Sequence, residues 1–283
     1  MASPLVSVIC LCYNHARYIN DAILSVIHQT HPAVELIVVD DASTDNSVEV
    51  ISALLKNQSH IKFIQLKKNI GNCAAFNRGF EHSSGAYVID LAADDVLLPH
   101  RIEAGVEALE AVGEDFGVQF SDAELIDSQG DFLGLHSDHY SSDKIPQGNI
   151  YRDIIARYFI SGPTMLIRRK VLETLNGYDE KLAYEDFDFW VRSSRLFKYL
   201  YIPQPLVKRR VLDSSMKSRQ FVRGSEQLRS TFAVCKKINE LNETQEERQA
   251  LIGRIRYEIK VCLKLFDLRL AVDYFKLLKS IKV

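Results

Sequence analysis

No run of about 18 apolar residues occurs in the 283-residue chain, so the sequence holds no candidate membrane-crossing helix. Met1-Ala-Ser-Pro4 leads straight into an apolar strand pattern, without the features of a secretory signal. The five cysteines, Cys10, Cys12, Cys73, Cys235 and Cys262, show neither CxxC nor zinc-ligand spacing, and the eight histidines show no HxxxH pair. A redox dithiol and a zinc centre are therefore not expected. Cys10 and Cys12 share one face of a predicted strand and read as small core residues, which fits a reducing, cytoplasmic compartment. No GxGxxG follows the first strand, so a bound nucleotide must be held by something other than the dinucleotide fingerprint. Internal repeats and low-complexity segments are also missing.

What is present is an ordinary globular composition, 47% apolar and 25% charged. The net charge of −2 hides an asymmetry. Residues 207–283 carry 18 Lys+Arg against 9 Asp+Glu, while residues 1–206 carry 17 against 28. An acidic region able to hold a metal is thus joined to a basic one able to face anions.

Strand and helix patterns alternate over the first half. Apolar runs at 5–12, 34–39, 61–66 and 86–92 predict buried strands, and 16–29, 46–56, 72–82 and 100–112 predict the helices between and after them. This is the signature of βαβ units, a mostly parallel sheet flanked by helices. Farther on, 118–121 and 163–167 read as strands, 149–159 as a short helix, and 127–148 as an exposed loop rich in Ser, Asp, Gly and His. Arg168-Arg169-Lys170 reads as a solvated helix start, and Trp190 and Phe187 as core. Asp188 reads as a solvated or capping acid. Two or three helices follow residue 224, broken near 239–244. The last, at 254–281, shows an apolar stripe of Ile255, Ile259, Leu263, Phe266, Leu270, Tyr274 and Leu277.

The chain is organised around Gly85-Ala-Tyr-Val-Ile-Asp-Leu-Ala-Ala-Asp-Asp-Val-Leu-Leu-Pro99, a strand ending in Asp94 and Asp95. Adjacent carboxylates at the carboxyl end of a central strand are costly unless neutralised, and a divalent cation carrying a diphosphate would do this. Leu11-Cys-Tyr-Asn14 and Asp40-Asp41 end two other strands on the same edge, and Glu185-Asp186 comes later. In isolation, Asp94-Asp95 and Glu185-Asp186 read equally as acids favoured at helix starts, and Tyr13 as a packed aromatic.

Together with Val6-Ser-Val-Ile9, Gln29-Thr30, Glu35-Leu-Ile-Val-Val-Asp-Asp-Ala-Ser-Thr-Asp45, Asn69-x-Gly71, Asn77-x-Gly79 and Gly177-Tyr-Asp-Glu180, these motifs resemble the inverting, GT-A-fold glycosyltransferases of family 2. The resemblance covers residues 4–215. It implies a catalytic domain over 1–220, with a nucleotide-binding half at 1–115 and an acceptor half at 116–220, and a helical extension over 221–283. It further implies that Leu11, Tyr13, Asn14, Asp41, Asn77, Asp94, Asp95 and Arg210 bind the nucleotide sugar. Asp95, with Asp94, would hold Mn²⁺ or Mg²⁺. Asp186 would be the catalytic base, with Glu185 beside it. The implied activity is hexosyl or N-acetylhexosaminyl transfer from a nucleoside-diphosphate sugar, UDP-linked, to a saccharide or lipid-linked saccharide of a bacterial surface polysaccharide.

Three positions depart from the family pattern: Ala92 and Phe76 stand where many members have Asp and Arg, and Leu212 where many have a metal-binding His. A catalytically impaired nucleotide-sugar-binding module therefore stands as the alternative. A nucleotidyltransferase is disfavoured, because Leu11-Cys-Tyr-Asn-His15 is not a Gly-rich, cationic loop. The basic tail reads either as a packing or homodimer surface or as a peripheral contact with the inner face of the membrane. No nucleic-acid partner is expected.

Overall fold

The structure is a computed structural model that describes residues 3–140, 145–212 and 222–281. The first half alternates as the sequence pattern requires. Strands β1 (Val6–Cys12), β2 (Val34–Asp40), β3 (Lys62–Gln65) and β4 (Tyr87–Ala92) are joined through helices α1 (Ile19–Ile27), α2 (Ser47–Leu55) and α3 (Asn72–Glu81). They pair in parallel in the order β3-β2-β1-β4, with Leu11 beside Ala92 and Cys12 beside Asp40. Every residue of β1 is buried, which is why its sequence is a continuous apolar run rather than an alternation. Helix α3 lies close on the sheet because of Gly79. A Cβ there would meet Ile9 Cγ2 at 2.4 Å and Val39 Cγ2 at 3.1 Å.

Next come β5 (Val96–Leu97), α4 (Arg101–Val112), β6 (Phe116–Ile126), β7 (Phe132–Leu135), α5 (Tyr151–Ala156), β8 (Leu166–Arg168), α6 (Arg169–Leu175), α7 (Asp186–Ser194) and β9 (Lys198–Arg210). Among the described residues nine strands form one sheet, ordered β3-β2-β1-β4-β8-β6-β9-β5, with β7 hydrogen-bonded to β6. β8 runs antiparallel to both neighbours, and β9 runs parallel to β6.

Several elements differ from the sequence expectation. Strand β6 extends well beyond 118–121, and β9 gave no strand signal because Pro203 and Pro205 interrupt it. The ladder absorbs both prolines at register shifts, where a missing N–H costs no pairing. The segment read as an exposed loop from residue 127 contains β7 and a 3₁₀ turn at His136–His139. Asp122 holds that turn through Ser137 N at 3.0 Å and Ser137 Oγ at 2.6 Å. Arg168 and Arg169 are not a solvated helix start. Arg168 donates to the carbonyls of Leu109 and Phe116, and Arg169 to that of Gly85.

The extension consists of α8 (Glu226–Leu241), α9 (Gln245–Lys264) and α10 (Leu268–Ser280). Ser225 caps α8, a Thr244–Glu247 capping box opens α9, and Asp267 caps α10. The single long helix expected over 254–281 is therefore two. The break is a Schellman motif: Asp267 N donates to Cys262 O and Phe266 N to Leu263 O, with Phe266 at φ 56°. Leu263 and Phe266 consequently leave the apolar stripe and are exposed, whereas Ile255, Ile259, Leu270, Tyr274 and Leu277 are buried.

These helices share one core with α3, α5 and α7. Arg254, itself 6% exposed, lies over the rings of Tyr158 and Phe187 at 4.1 and 4.7 Å and pairs with Glu258 at 2.8 Å. All five cysteines are buried and free, as small core residues should be. Trp190 and Phe187 also lie in the core.

Candidate active site

The carboxyl ends of β1, β2 and β4 bring Tyr13, Asp41 and Asp94-Asp95 to one edge of the sheet, where open α/β sheets bind ligands. Leu11 and Cys12 set the spacing through main-chain carbonyls, accepting from Ala93 N and Asp41 N at 2.9 Å each. Tyr13 is 45% exposed at this edge, whereas the Leu11 side chain is in the core. Asn14 sits in the left-handed region, φ 59°, a conformation Asn tolerates. Its Oδ1 accepts from Thr44 N at 2.7 Å and its N donates to Ser43 Oγ at 2.9 Å, so it shapes the loop after β2.

Asp41 is buried, and its two oxygens accept from Ile70 N at 2.7 Å and Gly71 N at 2.9 Å. Burial still pushes its carboxyl up, against those two donors. Asn77 faces Tyr178. Its amide clamps the backbone of Tyr178, accepting from Tyr178 N and donating to Tyr178 O at 2.9 Å each. Phe76 is fully buried and stacked on Tyr178 at 4.1 Å.

Asp94 and Asp95 follow β4 directly. Asp94 lies 3.9 Å from His15 Nδ1, and Asp95 Oδ1 accepts from Arg210 N at 2.8 Å. Burial and the neighbouring Asp94 push Asp95 well above the usual carboxylate range, opposed by that backbone donor and by Arg209 and Arg210. The Arg210 guanidinium is spent on main chain and ring: Asp94 O at 3.0 Å, Asp127 O at 2.8 Å, and the Tyr18 face at 4.5 Å. Arg209 is the cation whose field reaches both Asp95 and Asp186.

Farther along the chain, Glu185 precedes α7 and Asp186 is its first residue. Glu185 Oε2 accepts from Asn72 Nδ2 at 2.6 Å, which ties the acid to the start of α3. Burial and the Glu185 charge push Asp186 well up, and Arg209 opposes them. The carboxylate fits because residue 162 is glycine: a Cβ there would lie 2.5 Å from Asp186 Oδ1.

The segment is held from behind by the extension. Ala183 N donates to Ser230 Oγ at 2.9 Å, the Tyr184 hydroxyl meets Thr231 Oγ1 at 2.7 Å, and Lys237 Nζ lies 2.6 Å from Asp188. Asp188 is thus no solvated acid. It is 1% exposed and also pairs with Arg192 Nε at 2.6 Å.

Asp90, unremarked among the sequence candidates, joins this group. It lies beside Ile9 on the face of β4 that carries Ala92. Like Ala92, it is partly buried. Burial, Glu185 and Asp186 push it far up, and the buried Tyr178 hydroxyl faces it. The signal was available: a charged residue inside an otherwise apolar strand is the informative exception.

Asp94 and Asp95 fit a hard cation. Two adjacent carboxylates with incomplete compensation suit Mg²⁺ or Mn²⁺ that takes its other oxygens from diphosphate and water. Among the described residues no group of three or more His, Cys, Asp or Glu could hold a metal by itself. Residues 213–221, which include the end of the acceptor half expected over 116–220, lie outside the described residues.

The sequence profile of glycosyl transferase family 2 matches residues 7–175, and the chain belongs to that family. An uncharacterized glycosyltransferase of Methanocaldococcus jannaschii is 30% identical over 215 residues, 75% of this chain and 72% of that protein. One of Rickettsia prowazekii is 32% identical over 213 residues, 74% of this chain and 64% of that protein.

Among solved structures, S. aureus TarS in complex with UDP-GlcNAc superposes with a TM-score of 0.76 at 17% identity, covering 98% of this chain and 82% of that one. A mannosyltransferase from Pyrobaculum calidifontis, in complex with GDP-Man and Mn²⁺, gives 0.68 at 16% identity, covering 100% and 77%. The fold is GT-A, as expected. Among the described residues no helix is long and apolar enough to cross a membrane.

Proposed function

We propose that the protein transfers a hexosyl or N-acetylhexosaminyl group from a UDP-sugar, with inversion, to a saccharide or lipid-linked saccharide of a bacterial surface polysaccharide. It works in the cytoplasm, peripheral to the inner face of the membrane. The observation that supports the reading is that Asp90 feels the charges of Asp95, Glu185 and Asp186, and that Arg209 acts on both Asp95 and Asp186, so these groups share one neighbourhood. A base and an anchor for the leaving group near one another are what single displacement at an anomeric carbon requires.

Tyr13 and Asp41 take the nucleoside end, supported by their position at the ends of β1 and β2. Asp94 and Asp95 would hold Mn²⁺ or Mg²⁺, which when bound offsets charge on the departing diphosphate. Arg209 adds fixed positive charge beside it, in place of the histidine that Leu212 replaces. Asp186 takes the proton of the attacking hydroxyl, a role that contributes about 10²–10⁴-fold. Its raised affinity for protons suits a base, and Glu185, anchored on Asn72, holds the local field. Asp186→Asn is expected to remove transfer while calorimetric donor binding and melting stay unchanged. Transfer by that variant at the wild-type rate would remove Asp186 from the chemistry. Donor binding by the wild-type chain with no turnover on any acceptor would favour the binding-module alternative.

A further inference from the structure

The outer faces of α9 and α10 have a composition that the catalytic site does not use. From residue 253 to 280 the exposed positions include six cations: Arg256, Lys260, Lys264, Arg269, Lys276 and Lys279. Interleaved with them stand Tyr257, Leu263, Phe266, Leu268, Val272 and Phe275, all between 45% and 73% exposed. No acidic residue is exposed over that span. Asp267 is partly covered and caps α10 through Leu270 N at 3.1 Å, and Asp273 is partly covered and pairs with Lys276 at 3.7 Å.

A second observation concerns the turn itself. Phe266 occupies the left-handed position of the Schellman motif, φ 56°, where glycine is usual and a bulky side chain is strained. It is also the most exposed large apolar residue among those described, at 73%. The fold thus holds an aromatic ring out into water at a position that disfavours it.

We propose that this face is a docking surface for an anionic lipid bilayer. A two-fold dimer through the same face would set cation against cation with only Asp273, already paired with Lys276, to answer them, so the face is poorly self-complementary. A purely ionic partner would satisfy the lysines and arginines but leave Phe266, Leu268 and Phe275 in water. The bilayer interface satisfies both groups: anionic headgroups meet the cations, and the acyl boundary receives the rings. The inference deepens the reading above, since it rests on an acceptor presented at a membrane, and it names the surface that brings the enzyme there.

The test uses the full chain with sedimented vesicles of phosphatidylcholine, alone or with about one third phosphatidylglycerol. Binding is expected to be at least about tenfold tighter on the anionic vesicles and to weaken with salt. The double variant Phe266→Asn, Phe275→Ser should lose about tenfold or more of that binding. Asn suits the left-handed backbone, so melting and nucleotide binding should be unchanged. Equal binding to both vesicle types, unchanged binding by the double variant, or a solution dimer that the double variant dissociates would each overturn the proposal. Transfer to a soluble acceptor, measured alongside, separates the two readings. Transfer with no vesicle binding sinks the docking surface alone, and vesicle binding with no transfer sinks only the transferase.

Discussion

Alanine at position 162 separates where the Asp186 carboxylate sits from what it does. Gly162 opens the 3₁₀ turn Gly162–Thr164, and an added Cβ would lie 2.5 Å from Asp186 Oδ1 and 3.2 Å from Cγ and Oδ2. Favourable carbon contacts need about 3.5–4 Å, so the carboxylate must retreat by roughly 1 Å. The backbone at 162 is outside the left-handed region, so alanine itself is tolerated there. The clashing atoms are the end of a short side chain at the start of α7, free to rotate, so the fold should survive. Misplacing a catalytic group by about 1 Å costs on the order of 10²-fold. That corresponds to about 2.7 kcal/mol of barrier. Steady-state release of nucleoside diphosphate reads kcat, calorimetry reads donor affinity, and a thermal melt reads folding. We expect kcat to fall about 100-fold with the other two unchanged. Gly253→Ala is the control. It lies exposed in α9 with nothing within 4 Å of its Cβ, and should gain about 1 kcal/mol of stability without touching kcat. A folded Gly162→Ala enzyme with wild-type kcat would refute the argument that the position of Asp186 matters.

The acid limb of the kcat–pH profile should respond to the two charges around Asp186 in opposite directions. Glu185→Gln removes a negative neighbour and should move it to lower pH. Arg209→Met removes a positive one and should move it higher, and shifts of the same sign would show that these fields do not act on the base. Glu35 accepts from Ser7 Oγ, the N–H groups of Ser84 and Gly85, and Lys62. Burial pushes its carboxyl up, but those donors outweigh it and hold it at about 2. Because the folded value is depressed, its stabilisation is present above the unfolded value and lost as pH falls towards 2. Glu35→Gln should cost about 1–2 kcal/mol at neutral pH, allowing for solvent at its open edge, and nothing at the acid extreme. Urea titrations across that range decide it, a constant difference being the contrary outcome. Lys237→Met leaves the buried Asp188 with Arg192 alone and should cost about 1–2 kcal/mol of stability. Donor binding should persist, and a melt unchanged from wild type would show that the tie from α8 contributes nothing.

Legibility in the sequence followed periodicity. Strand β1 is buried on both faces and β2 and β4 over most of their length, so nearly continuous apolar runs announced them, and Asp41 and Asp94-Asp95 could be placed at their ends. β9 could not be read, because its pairing with β6 is bought by a register shift that tolerates Pro203 and Pro205, and no local pattern encodes a distant bulge. Arg209 and Arg210 were adjacent in the chain and indistinguishable in type. Only the strand's alternation decides that Arg210 turns to the carbonyls of Asp94 and Asp127 while the field of Arg209 reaches Asp95 and Asp186. Asn77 and Asn14 show the same limit from the other side. Their positions match a motif, but their hydrogen bonds to Tyr178 and to the loop after β2 are tertiary facts.

The extension belongs in the same argument. The family profile ends at residue 175, yet the proposed base is at 186, in a segment that α8 and α9 also hold, at Ala183, Tyr184, Phe187 and Asp188. The proposed donor-binding residues therefore stand on the sheet, while the proposed base stands on α7, braced in part by helices outside the profile. Any change in how α8 and α9 sit against Tyr184, Phe187 and Asp188 moves Asp186 relative to Asp94-Asp95. The outer face of the same α9, continued in α10, is the one proposed to meet lipid. Membrane docking and the placement of the base thus share one rigid element. A bilayer contact that shifted α9 would reach Tyr158 and Phe187 through Arg254, and Phe187 is one residue from the proposed base.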